Sequence, residues 1–276
     1  MNKKVIKKTD SAFNPIAKGL KGTGFFAREF PIEPFLLFSE FRMSLPVFGP
    51  HPHAGVSVMT YMRPDSKEGF INRDNLSGLS FIEPGGLQIM QAGTGMHHDE
   101  FPKVEGVETS GFQIWVNHSD KNRFVTPQSI HVDAKDVPEV TSENALVRIV
   151  HGAYGDKSTT HKMVTAIDLL HIFLKPHKSI TIATKQMAFV YGMEGSGTTE
   201  SEKILPKTMI NYSLDGDDIT ITAGHDGFQF MFGSGNPHHE PIVYGGPFVA
   251  TTSKQMEEMQ RSYSQGEMGT LALYTY

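Results

Sequence analysis

Two short segments hold the side chains best suited to chemistry. FGPHPHAG places His51 and His53 two residues apart, directly before an alternating apolar run. In extended chain such residues share a face, so both imidazoles can reach one point. Pro52 between them has no backbone donor, which assigns the stretch to a strand start, an edge or a bulge. QAGTGMHHDEFP offers a second pair with the same spacing, His98 and Glu100. Imidazole and carboxylate together suit a divalent first-row transition metal, and a chain without cysteine must build any such site without thiolate. Four protein ligands in an octahedral site leave two positions for water, dioxygen or substrate, which is the arrangement of a reactive centre. Alternation does not choose the register, because His97 and Asp99 form a rival pair on the opposite face. Either pair alone could equally be a solvated turn.

The elements that must position these residues read as short strands. The 27 glycines and 16 prolines punctuate brief apolar runs throughout the chain, the pattern of many strands joined by turns. Val56 and Val58 alternate with Ser57 and Met59, Phe112, Ile114 and Val116 with Gln113, Trp115 and Asn117, and Phe228, Phe230 and Phe232 with Gln229 and Met231. Each run predicts a strand with one buried face. SITIAT and DDITITAG predict two more. The polar stretch at residues 130 to 145 reads as a linker between two halves of similar strand density, so the fold class expected is all-β with two small barrels or sandwiches. One helix is predicted from Lys254 to Tyr263, capped by Thr252 with Gln255 three residues on. Its face of Met256, Met259 and Tyr263 would dock on a barrel, with Glu257, Glu258 and Arg261 in solvent.

Composition narrows the function classes. A chain of 276 residues with 38% hydrophobic and 20% charged residues is an ordinary globular sequence with room for two domains. The net charge of −5 gives no global positive field for a phosphate backbone, so no direct nucleic-acid binding is expected. The basic N-terminus is not followed by an apolar run of secretory length, and no segment approaches the roughly 20 apolar residues that span a bilayer. A cytoplasmic protein without membrane contact is expected. Serine-hydrolase, P-loop and dinucleotide motifs are absent.

FGPHPHAG, NRDNLSG, EPGGLQIMQAGTGMHHDEFP, FQIWVN and EPIVYGGPFV follow one another in the order typical of pirins. The chain resembles that family over most of its length, most densely between residues 48 and 117. The resemblance implies a bicupin: an N-terminal cupin domain over residues 1–138 carrying one metal, a C-terminal cupin domain over 139–276 without a metal site, and a short C-terminal helix. It implies a divalent metal, iron(II) by family habit, held by His51, His53, His98 and Glu100, and so selects that register over His97 and Asp99. The activity implied is that of a quercetin 2,3-dioxygenase, with a flavonol and dioxygen as substrates and Glu100 as the base that takes the 3-hydroxyl proton. The alternative is a non-enzymatic, iron-dependent regulator acting through protein partners. A monomer is expected. His238, His239 and Glu240 read as solvated rim. Three positions depart from the family pattern: Ser57 stands where a glutamate is usual, Asn72 where a histidine is common before Arg73 and Asp74, and Ile89 where tryptophan is common.

Overall fold

The alternating runs fold as strands, but several are buried on both faces. In the computed structural model, which describes residues 1–274, Val56–Met62 is buried at every position. Val56, Val58 and Met62 pack into the first half of the chain. Met59 and Tyr61 belong to a cluster shared with Val150, Phe189, Tyr191 and Met231 of the second half. The same cluster takes Phe112, Ile114 and Val116. The apolar face of Thr109–Asn117 therefore meets the second half, and Gln113 faces a cavity in the first.

An eight-stranded sheet runs in the order Gln128–Val132, Leu87–Gln91, Val56–Met62, Thr109–Asn117, Phe35–Met43, Leu20–Gly22, Asn14–Ala17, with Phe25–Phe26 added beside Phe35–Met43. A four-stranded sheet of His51–His53, Met96–Pro102, Phe70–Asp74 and Gly78–Ile82 forms the facing wall of the first barrel. The second barrel is built from a nine-stranded sheet whose path runs through Thr208–Tyr212, Met187–Thr199, Asp218–Gly235, Ile167–Leu174 and Ala145–His151. Its interior is an almost unbroken aliphatic and aromatic filling. The architecture is thus all-β, two barrels in tandem, with a single α-helix among the described residues, Ser253–Ser264.

Three differences from the sequence reading have physical causes. DDITITAG and the phenylalanine run are one strand of 18 residues, Asp218–Gly235, bent at Gly227 where φ is +80°. Its first half pairs with Ser179–Ala183 and its second with Ile167–Leu174. The polar stretch at 130–145 carries strands at both ends. Gln128–Val132 pairs into the first sheet with the sequence-distant strand Leu87–Gln91, and Glu139–Thr141 into the second with the neighbouring strand Ala145–His151; in both, cross-strand pairing compensates for weak local periodicity. The N-terminal strand Val5–Asp10 pairs with Thr208–Tyr212 and so belongs to the second sheet. It is anchored by Lys3, 1% exposed, whose ammonium donates to the carbonyls of Gln186, Ser213 and Leu214 at 2.7, 3.0 and 2.8 Å.

The chain's last segment returns to the first barrel. Val249 N–H donates to the Ala54 carbonyl at 3.0 Å. Buried Arg123 donates to the Gly55 carbonyl at 2.8 Å and to Thr251 Oγ1 at 3.0 Å. The helix follows with Thr252 Oγ1 accepting from Gln255 N at 3.2 Å, while Gln255 Oε1 accepts from Thr251 N. Met256 and Met259 are buried with Ala54, Phe248 and Met268, so the predicted face docks as expected, and it docks on the metal-side wall of the first barrel.

Candidate metal centre

Strand register brings the histidines together. His51–His53 is an edge strand paired antiparallel with Met96–Pro102, with His51 opposite His98 and His53 opposite Met96. Directly opposed residues share a face of the sheet, and Pro52 is accommodated because the strand has a partner on one side only. The Nε2 atoms of His51 and His98 lie 3.1 Å apart. One ligand atom from each of His51, His53 and His98 falls within 4.8 Å of the others.

The outward ring nitrogens are tied down. His51 Nδ1 bonds the Gly49 carbonyl at 2.8 Å and His53 Nδ1 bonds the Pro247 carbonyl at 3.2 Å. A carbonyl only accepts, so Nδ1 carries the proton in both rings and Nε2 presents a lone pair to the common point. Burial holds all three imidazoles neutral: His53 is pushed down to about 3, His98 well below its ordinary value, and His51 below it as well. Repulsion from neighbouring imidazoles adds to the effect at each. Neutral imidazole is the form that ligates. His98 Nδ1 is buried without a partner, so without a metal its Nε2 can carry the proton and donate to the His51 Nε2 lone pair at 3.1 Å, whereas a shared cation would be ligated by both nitrogens. The donor set therefore fits a divalent transition metal.

Glu100 lines the same cavity as His51 and His98 but stands outside the close triad. Its Oε1 accepts from Thr60 Oγ1 at 2.5 Å. Burial pushes the carboxyl up to about 7, against the opposing hydrogen bonds from Thr60 and Gln113. Thr60 and Gln113 are site residues that the sequence reading did not single out. Their signal was present in the alternation, since each occupies a polar position within an otherwise apolar strand. The Pro247 carbonyl carried no such signal.

His97 and Asp99 point the other way. His97 stacks on Tyr263 with ring centroids 5.8 Å apart, and its Nδ1 bonds the Met268 carbonyl at 3.3 Å. Asp99 is paired with Arg73 at 2.7 Å. This rival pair fastens the C-terminal segment. His238 and Glu240 are also structural: His238 Nε2 bonds the Asn117 carbonyl at 3.2 Å, and Glu240 accepts from Asp120 N at 2.6 Å.

The cavity beside the triad encloses about 550 Å³ and is walled mainly by Ile16, Leu37, Phe41, Met43, Phe48 and Phe70. Its polar groups include His51, His98, Glu100 and Gln113, and no lysine or arginine lines it. The volume lies within the range of small-molecule sites. The walls favour a neutral, largely apolar ligand, with ionisable chemistry confined to one end.

Comparison with known proteins agrees with this architecture. The pirin family model matches residues 28–116, and the model of the pirin C-terminal cupin domain matches residues 169–269. A pirin-like protein of Arabidopsis thaliana is 31% identical over 241 residues, spanning 82% of this chain and 76% of the relative. A Pseudomonas aeruginosa relative named for a proposed quercetin 2,3-dioxygenase activity is 29% identical over 256 residues, covering 85% of this chain and 86% of its own. The crystal structure of a quercetin 2,3-dioxygenase from Acinetobacter baumannii superposes with a TM-score of 0.88 at 22% identity, covering 99% of this chain and 100% of that one. The two tandem barrels are cupins, and the chain belongs to the pirin family.

Proposed function

We propose that this chain is an iron-dependent dioxygenase that opens flavonols such as quercetin, with His51, His53, His98 and Glu100 holding one divalent iron in the domain of residues 1–138. The observation that carries the reading is the juxtaposition of three neutral imidazoles and a buried carboxylate at one end of an apolar cavity without cationic side chains. The names of the Pseudomonas and Acinetobacter proteins point to the same chemistry.

When bound, the metal supplies a Lewis acid and open positions for substrate and dioxygen. The protein groups do the rest. Burial raises the Glu100 carboxyl to about 7 in the metal-free protein; as a ligand it would be ionised, and its free oxygen is the group that takes the flavonol 3-hydroxyl proton. In the metal-free arrangement Thr60 donates to Oε1 of that carboxyl, a contact that Glu100 gives up when it turns toward the metal. Phe41, Phe48 and Phe70 exclude water and give a flat aromatic ring its plane of entry. The backbone carbonyls of Gly49 and Pro247 keep His51 and His53 in the ligating tautomer. The protein would work as a cytoplasmic monomer; among the described residues no helix is long and apolar enough to cross a membrane.

The test is oxygen uptake by iron-loaded protein with a panel of flavonols. Uptake is expected with quercetin, and Glu100→Gln is expected to lower it by about 100-fold or more, the contribution of a positioned base. No uptake, under conditions where a competent quercetinase turns over, rejects the enzyme reading.

A further inference from the structure

The second half of the chain, where no metal site was expected, holds another pair of imidazoles prepared in the same way. His151 ends the strand Ala145–His151, at a break in register between Ile149 and His151. Such bulges re-aim the side chain that follows them. The residue is buried, and its ring centroid lies 5.1 Å from that of His161 on the next loop.

His161 Nε2 is buried without a partner, and the Val150 carbonyl acts on the same ring, which favours the Nδ1–H tautomer and leaves Nε2 as a lone pair. Nδ1 of His151 is likewise buried without a partner. No hydrogen bond joins the two rings, although one would satisfy both nitrogens. A buried nitrogen without a partner is costly, and two on adjacent imidazoles call for a common partner. The charged group acting on His151 is Lys185, which opposes a cation there and is itself paired with Asp168; a cation therefore binds more weakly than at the first site, whose cavity has a carboxylate and no lysine or arginine.

We propose that His151 and His161 form a second, weaker site for a borderline first-row divalent cation such as zinc, with water completing the coordination. The site is independent of the dioxygenase reading and of the ligands assigned to it.

The experiment is calorimetric titration of chelator-stripped protein with zinc chloride. Wild type should bind two ions with distinct affinities. The double variant His51→Ala, His98→Ala should keep the weaker one, and His161→Gln should lose only that one, with a thermal melt of the stripped protein like that of wild type. His161 is partly exposed, so its replacement leaves the fold intact. Zinc binding that is the same in wild type and in His161→Gln overturns the proposal, whether one ion is bound or two. Anomalous scattering at the zinc edge from a soaked crystal is the second readout: a peak between the two rings supports the site, and its absence there refutes it.

Discussion

Glu100→Gln in the metal-free protein isolates the electrostatic cost built into the centre. Burial pushes the Glu100 carboxyl up to about 7 from an ordinary value of 4.5. Between those two pH values the folded state keeps a proton that the unfolded chain has released. Its contribution to stability is therefore fully present below pH 4.5 and is lost as the pH rises through 7. A gap of about 2.5 pH units at about 1.4 kcal/mol each sets the loss at about 3 kcal/mol. Glutamine has nearly the same shape and no proton to release. Stripped Glu100→Gln should accordingly gain on stripped wild type as the pH is raised from 4 to 8, by up to about 3 kcal/mol. Urea denaturation of both proteins across that range, in chelator, measures the difference. The buried histidines, which titrate with the opposite sign below about 6.5, affect both proteins alike and cancel. With metal restored the order reverses, because ligation requires the ionised carboxylate that only wild type supplies. A stability difference that stays flat with pH refutes the account of Glu100 as a desolvated carboxyl.

Two further substitutions probe the frame around the centre. Lys3→Met removes a buried ammonium that donates to three partly buried carbonyls and should cost about 1–3 kcal/mol in chemical denaturation without changing metal content. A loss below about 0.5 kcal/mol, the usual size of a surface change, contradicts the anchoring role. Gly55→Ala strains a residue at φ +71° and sets a Cβ 2.0 Å from the Val249 carbonyl oxygen. That displaces the returning segment whose Pro247 carbonyl orients His53, so metal affinity should fall by about 10–100-fold in a competition titration with a chelator. Unchanged affinity detaches the C-terminal segment from the centre.

Much of the first barrel is legible in the sequence because its signals are local. His51, Pro52 and His53 announce an edge strand with two imidazoles on one face, and the structure places them so. Val56–Met62 and Thr109–Asn117 are found where alternation puts them. Alternation nevertheless suggests one solvated face, and both strands bury their second face against the other barrel or the cavity. Thr60 and Gln113 were hidden for that reason. The choice between His98 with Glu100 and His97 with Asp99 depends on what stands opposite each face. Those neighbours are His51 on one side and, on the other, Tyr263, Met268 and Arg73. Contacts across 26, 47 and 171 residues, Asp99 with Arg73, His98 with His51 and His97 with Met268, make that distinction, and no local pattern encodes them. The same holds for Val5–Asp10 in the second sheet and for the buried joint in which Arg63 contacts Glu40 at 2.9 Å and Glu194 at 2.5 Å. His151 and His161 lie ten positions apart, outside any motif spacing, and meet because a bulge and a loop bring them together.

The most direct test of the centre is a crystal of the protein as purified, with anomalous data collected on both sides of the iron edge. The account predicts an iron peak within about 2.0–2.3 Å of the Nε2 atoms of His51, His53 and His98 and of a Glu100 carboxylate oxygen, ordinary ligand distances for a first-row metal. The Glu100 side chain must then have turned from Thr60 toward the triad. Iron bound by His97 or Asp99, or a triad that takes up no metal when the protein is supplied with iron, contradicts it.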